Sequence, residues 1–229
     1  MPILNLNAFN FVPEVVMVYV ETRIRTDVAT LWRHTRNPTL HARWDLRFTS
    51  IEGLIEAGAP VRFRYRTTVL PGVHIDGVGF TSGERARPDG SAVSVLRFGS
   101  ADRRSLIADG SGFWRYEPVP GGVRFLTGFD YTPRWGRFGR LADRAFRPVF
   151  GWATAWSFDR LRLWLEHGVS PAASRRRWLL EVAVRVGLAV AAWRLGPVFL
   201  LLAVALPPGP RTPAARRCGR RPPTRGTTA

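Results

Sequence analysis

The sequence contains no lysine and a single cysteine, and both scarcities limit what the protein can be. With only Cys218 available, an intrachain disulfide and a cysteine-rich metal site are excluded, and a reducing cytoplasm is the expected location of the folded part. Without lysine, the phosphate-binding loop that ends in Gly-Lys-Ser or Gly-Lys-Thr is excluded as well. A His-Glu-x-x-His pair, a Gly-x-Ser-x-Gly elbow and a carboxylate cluster at metal spacing are also missing, so we expect no metal and no cofactor.

All 34 basic residues are arginine, and the formal net charge of +17 is concentrated towards the C-terminus. Residues 1–174 carry a net charge of +7, whereas residues 175–229 carry +10. Such a charge favours nucleic acid or an anionic membrane as a partner. Because the arginines before residue 175 are dispersed, nucleic-acid binding is the weakest hypothesis, and we expect no nucleic-acid partner.

Strict alternation in the stretch VRFRYRTTVL, residues 61–70, predicts a half-buried β-strand. Phe63 and Tyr65 would share one face, and the interleaved arginines would share the other. Either face could be the functional one, since arginines can bind a polyanion and aromatic side chains can line a cavity.

The order of predicted elements is one strand, two short helices, six strands and one long helix. Thr26 or Asp27 can cap the first helix, which the Asn37-Pro38 pair would end. Turn signals between the later strands are short, which favours antiparallel pairing. The predicted strands are residues 15–24, 46–54, 61–70, 74–88, 91–100, 105–119 and 122–133.

The last strand is followed by a long amphipathic helix. We expect Pro148 to kink or interrupt it and Gly168 to end it. An antiparallel sheet with helices on one side is an α+β arrangement, and a curved sheet around one helix encloses a cavity unless large side chains fill it.

Two segments, VYVETRIRTDVATLWRHTRNPTLHARWDLRFTSIE and GWATAWSFDRLRLWLEHG, resemble the SRPBCC or START-like superfamily, which includes Bet v 1-like proteins and polyketide cyclases. The resemblance covers about residues 15–168. It implies a helix-grip fold, in which a seven-stranded curved antiparallel sheet and two short helices surround one long C-terminal helix. It also implies an apolar small molecule bound between sheet and helix.

Within such a cup, alternation would point aromatic residues of several strands towards the ligand. The alternative is that the same rings fill the interior and leave no cavity. Arg97 could join Asp109 or Asp130 as a buried polar anchor, or it could face water. The expected ligand-binding residues are Phe63, Tyr65, Arg97, Trp114, Phe125, Phe129, Asp130 and Tyr131.

We favour a non-enzymatic binder or carrier of a lipid or polyketide-like molecule, tethered to the inner face of a membrane through residues 178–206. The alternative is a cyclase- or dehydratase-like enzyme that uses polar residues of the same cup. No catalytic residue is assigned, and the sequence offers only candidates. These are Tyr65, Arg97, Asp109, Asp130 and Tyr131.

The C-terminal part is not covered by the resemblance. Residues 175–206 predict a hydrophobic helix, in which 178–206 is a mostly apolar run of 29 residues. It could span a bilayer, lie in the membrane interface or pack on the domain. We expect the Pro- and Arg-rich residues 207–229 to be disordered. At the other end, residues 1–14 are an extension without the basic region of a signal peptide.

Overall fold

The computed structural model describes residues 18–54 and 62–222. Expectations for the N-terminal extension, for the start of the first strand, for Val61 and for residues 223–229 lie outside this part of the chain. Within it, seven strands form one antiparallel sheet in the order β1-β7-β6-β5-β4-β3-β2. The strands are β1 (Val18–Ile24), β2 (Ser50–Leu54), β3 (Arg62–Leu70), β4 (Val73–Ala86), β5 (Ala92–Gly99), β6 (Ile107–Val119) and β7 (Gly122–Pro133).

Two short helices separate β1 from β2, as the capping signals predict. The carboxylate of Asp27 accepts a hydrogen bond from the Thr30 amide at 2.7 Å and caps α1 (Val28–Arg36). Asn37 ends α1, and its side chain caps α2 (Pro38–Trp44). The V-shaped helix pair therefore turns at one residue that serves both helices.

The long helix α3 (Gly136–His167) crosses the concave face of the sheet. It ends at Gly168, whose positive φ of 62° suits a glycine. The helix continues through Pro148, so of the two expected effects the interruption is wrong and the kink stays a prediction. The predicted α+β helix-grip architecture is confirmed.

The C-terminal half of α3 fills one end of the space under the sheet. Phe158 has no exposed surface, and its ring stacks on Phe125 of β7 with centroids 4.5 Å apart. Trp44, Tyr116 and Leu161 are equally buried around this pair. The main core therefore lies at this end, and the other end is left for the cavity.

The C-terminal part differs from the expectation in two ways. The single hydrophobic helix is in fact two helices, α4 (Pro171–Leu195) and α5 (Val198–Ala205), because Gly196 and Pro197 break the chain direction. The described part of the tail, residues 207–222, includes a short 3-10 helix packed against the domain, so the expectation of disorder is wrong there. Ala215 and Cys218 belong to the buried core cluster.

Candidate functional site: an apolar cavity with a buried His-Asp-Arg cluster

A cavity of about 500 Å³ lies between the first half of α3, the α1–α2 pair and strands β2 to β7. This volume falls in the range of small-molecule sites in proteins. Its wall is mainly apolar and aromatic, and polar groups are few. The described wall includes Phe48, Ile51, Phe63, Tyr65, Ile75, Leu96, Phe98, Trp114, Phe129, Phe146 and Phe150.

The sheet side of the wall is built from aromatic residues that face glycines on the neighbouring strand. In each pair the two residues are directly opposite in the antiparallel register, and a Cβ added to the glycine would lie 2.2–2.7 Å from the ring. The rings therefore rest against the sheet in the volume that a side chain would otherwise occupy, which leaves the interior open. The pairs are Phe63 over Gly79, Tyr65 over Gly77, Phe98 over Gly110 and Phe129 over Gly112.

A buried cluster of His41, Asp45 and Arg47 supplies polar groups to the α2 side of the wall. Arg47 Nε and Nη2 donate to the two carboxylate oxygens of Asp45 at 2.9 and 2.6 Å. His41 Nε2 lies 3.1 Å from Asp45 Oδ2. The Arg47 guanidinium also lies 4.9 Å from the ring centroid of Phe129, so the charge is both paired and covered by an aromatic face.

Burial and charge set the protonation states of this cluster. Burial alone opposes ionisation of Asp45, but the charge and hydrogen bonds of Arg47 outweigh it and hold the pKa of Asp45 well below its ordinary value. Burial lowers the pKa of His41 despite its bond to Asp45. Since an ionised carboxylate only accepts, neutral His41 donates from Nε2, and its Nδ1 is left as an acceptor.

Two further polar groups of the wall are neutral. Burial raises the pKa of Tyr65 to about 12, and its hydroxyl donates to the Gly99 carbonyl at 3.3 Å. The indole N–H of Trp114 is buried and has no hydrogen-bond partner within the described part of the protein. An unpaired buried donor is unfavourable, and this nitrogen is covered by the protein, although Trp114 itself lines the cavity.

Four of the eight expected ligand-binding residues line the cavity: Phe63, Tyr65, Trp114 and Phe129. Phe125 faces inward but is stacked in the filled end of the core. Tyr131 also faces inward, and its hydroxyl donates to Asp143 at 2.5 Å behind the cavity wall.

Arg97 and Asp130 are exposed on the outer face of the sheet, so the expected place for them in the cup is wrong. Arg97 is paired in register with Phe80 and Ser111, and Ser111 with Asp130, which puts all four on one face. That face is the outer one because the neighbouring Leu96 and Phe98 line the cavity. The enzyme candidate Asp109 is exposed as well.

His41, Asp45 and Arg47 were not among the residues expected from the sequence. The spacing of His41 and Asp45 nevertheless indicated that their side chains could meet. His41 and Asp45 are four residues apart around the end of a short helix, a spacing that brings side chains together. Over residues 18–54 and 62–222, no group of three or more His, Cys, Asp or Glu side chains is arranged to hold a metal ion.

No protein-family model matches this chain. A curated Bacillus subtilis (strain 168) protein, "Uncharacterized membrane protein YndG", is 44% identical over 168 residues, which are 72% of this chain. The match covers 63% of the length of that relative.

Two solved structures are similar at low identity. A STAR-related lipid transfer protein from Xanthomonas axonopodis is 17% identical, covers 64% of this chain and 84% of its own, and has a TM-score of 0.48. The Zhui aromatase/cyclase from Streptomyces sp. R1128 is 15% identical, and the match covers 63% of this chain and 94% of the cyclase. Its TM-score is 0.45. Identities and scores this low indicate nothing about a ligand. From its own element order and strand order, with the sheet curved around α3, the chain has an SRPBCC/START-like fold.

Proposed function

We propose that the protein binds or carries an apolar small molecule, of the lipid or polyketide-like class, in the cavity beneath the sheet. The observation that carries this proposal is the 500 Å³ space walled by aromatic rings that rest on glycines. A ligand there gains from burial of its apolar surface. Its orientation would be set by the few polar groups of the wall, among which are His41 and Arg47.

Native mass spectrometry of the full chain after mild extraction tests the proposal directly. We expect a co-purifying mass that is lost on denaturation. Replacing Ile75, which lines the cavity, by Trp should remove that mass and weaken binding of 11-(dansylamino)undecanoic acid at least tenfold. Val78 lies on the outer face of the same strand, so Val78→Trp is the matched control and should bind as the parent does. Equal binding by both variants would refute the cavity as the site.

A catalytic alternative, a cyclase- or dehydratase-like activity, is favoured by one observation. Neutral His41 keeps a free acceptor nitrogen in the cavity wall and is oriented by Asp45, the arrangement of a general base. If a polyketide-like substrate is turned over by the parent but not by His41→Gln, while both bind it equally, the enzyme interpretation replaces that of the carrier.

We further propose that the protein acts at a membrane, with the cup on the cytoplasmic side. The support is the exposed apolar surface of α4 and α5, together with the name of the Bacillus relative, which calls that protein a membrane protein. Among the described helices, none combines the length and the hydropathy needed to cross a bilayer. Replacing Leu201 and Val204 by Glu in the full chain should shift the protein out of the membrane fraction, and unchanged partitioning would refute this proposal.

A further inference from the structure

Residues 178–206 form a helical hairpin, called here the apolar hairpin. α4 runs outward to Leu195, the chain turns at Gly196 and Pro197, and α5 packs back against α4. Arg185 joins the two helices towards the open end of the hairpin, since its guanidinium donates to the carbonyls of Ala203 and Leu206, both at 2.6 Å. The guanidinium of Arg185 thus supplies hydrogen-bond donors to carbonyls at the end of α5, which lack partners within the helix.

After the hairpin the chain returns to the domain through residues 207–221, called here the strap. Glu181 accepts from the Gly209 amide at 3.0 Å and from the Thr212 hydroxyl at 2.5 Å. Asp159 of α3 accepts from the Ala214 amide at 2.8 Å, and the Gly219 carbonyl accepts from the Glu21 amide of β1.

Both ends of the apolar hairpin are therefore fixed to the same body. A single crossing would require the domain on one side of a bilayer and the strap on the other. That separation would remove the strap from the core cluster in which Ala215 and Cys218 are buried.

The surface of the hairpin is apolar and open. Its side chains are far more exposed than is usual for such residues, with Trp193 at 89%, Val204 at 79% and Leu201 at 68%. A contiguous exposed apolar patch of this kind marks an interaction surface. α5 carries no polar side chain at all.

The charge around the hairpin indicates which partner covers it. Exposed arginines lie in the second turn of α4 and along the strap. None of them has an acidic partner within 4 Å in the described structure. The one acidic residue of 175–229, Glu181, is engaged by the strap. An anionic bilayer offers both hydrocarbon and negative charge in one surface. The arginines are Arg175, Arg176, Arg177, Arg211, Arg216, Arg220 and Arg221.

We propose that the apolar hairpin docks into one leaflet of an anionic membrane and leaves on the side from which it entered, with the arginines at its base and on the strap in contact with lipid phosphates. The hairpin lies along the headgroup boundary, so Trp193 and Arg194, just before Gly196, also stay at interfacial depth, where an indole ring and a long basic side chain are favoured. This inference rests on the proposed membrane association and is independent of what the cavity binds.

Vesicle binding tests the lipid partner. The full chain is sedimented with vesicles of phosphatidylcholine alone or mixed with 30% phosphatidylglycerol, at low and high salt. We expect binding to the anionic vesicles, weakened by salt, and at least a tenfold loss of binding for L201E/V204E. The matched control is L70E/V78E, which places the same two charges on an exposed leucine and an exposed valine of β3 and β4. Equal binding to neutral vesicles, or sequestration of the hairpin in a dimer that ignores vesicles, would overturn the proposal.

A labelling experiment tests the topology. The native thiol Cys218 is buried, so a new exposed cysteine is labelled selectively. A polarity-sensitive dye on Leu201→Cys should shift to the blue with anionic vesicles, and the same dye on Leu70→Cys should not. A membrane-impermeant maleimide added outside preformed vesicles should label both Ser82→Cys of the domain and Arg220→Cys of the strap. Protection of residue 220 would mean a crossing and would refute docking in one leaflet.

Dansyl-fatty-acid binding measured on the same samples separates the two proposals. Loss of vesicle binding with ligand binding intact rejects only the hairpin. Loss of ligand binding with vesicle binding intact rejects only the carrier function.

Discussion

Tyr65 of β3 lies across Gly77 of β4, and a Cβ at Gly77 would be 2.2 Å from its ring. The same relationship recurs at three other cross-strand pairs of the concave face. A large aromatic side chain thus covers the sheet without filling the cavity, because the glycine opposite has no side chain and leaves space for the ring. The openness of the cup depends on glycine as much as on the aromatic residues.

Replacing Gly79 by alanine should therefore reduce ligand binding. The new methyl group displaces the Phe63 ring, which has free space only on the cavity side. We expect at least a tenfold weaker affinity for 11-(dansylamino)undecanoic acid, measured by fluorescence titration. Gly83 of the same strand has nothing within 4 Å of an added Cβ, so Gly83→Ala is the control and should leave affinity unchanged.

Substituting Asp45 by asparagine should destabilise the fold strongly. Arg47 would then be a buried cation without its carboxylate, and breaking a buried pair costs about 3 kcal/mol or more. Urea unfolding at pH 7 measures the difference. Asp76 and Arg66 form an equally well-shaped pair that is exposed to solvent, so Asp76→Asn should lower the free energy of unfolding far less than Asp45→Asn. A small effect at Asp45 would contradict our account of the cluster.

The contribution of Asp45 should also depend on pH in a defined direction. Its pKa is lowered in the folded state, so its stabilisation is fully present above the ordinary value of 3.8 and is lost as the pH falls below it. The stability gap between the parent and Asp45→Asn should shrink only in that acidic range. If the difference in stability disappeared already near pH 6, a group other than Asp45 would be its source.

His41 should act in a higher pH window. Burial lowers its pKa below 6.5, so the unfolded chain binds the proton more readily than the folded chain. Stability should be constant above about pH 6.5 and decline as the pH falls towards 5. His41→Asn should lose this decline relative to the parent, when both are followed by urea unfolding across that range. A parallel decline in the variant would exclude His41 as its source.

The strap should protect the only thiol. Burial raises the pKa of Cys218 to about 12, and its Sγ lies 3.3 Å from the Ala155 carbonyl. We expect the native protein to resist alkylation at pH 8. Arg217 joins the strap to Asp159 at 3.0 Å, so Arg217→Ala should speed labelling at least tenfold by local opening. The control Arg104→Ala removes an exposed arginine far along the chain and should not change the rate.

The sequence predicted local order well because strand alternation, capping residues and turn residues act over a few neighbours. Phe63 and Tyr65 face the cavity as their alternation indicated. The same rule would have placed Asp130 outside, since it stands between the inward Phe129 and Tyr131. The wrong expectation for Asp130 came from seeking a charged anchor, against the period of the strand.

The sequence itself thus determined the order of the elements and which helix closes the fold. It also determined which side chains of each strand share a face. The division of the concave face into a filled half and an open half was decided only when α3 brought Phe158 onto Phe125. Tertiary packing likewise decided the path of the chain after the hairpin, because Asp159 and Glu181 hold the strap from distant parts of the chain. Such long-range contacts produce no periodic pattern in the sequence. They decided that the polar tail packs against the domain.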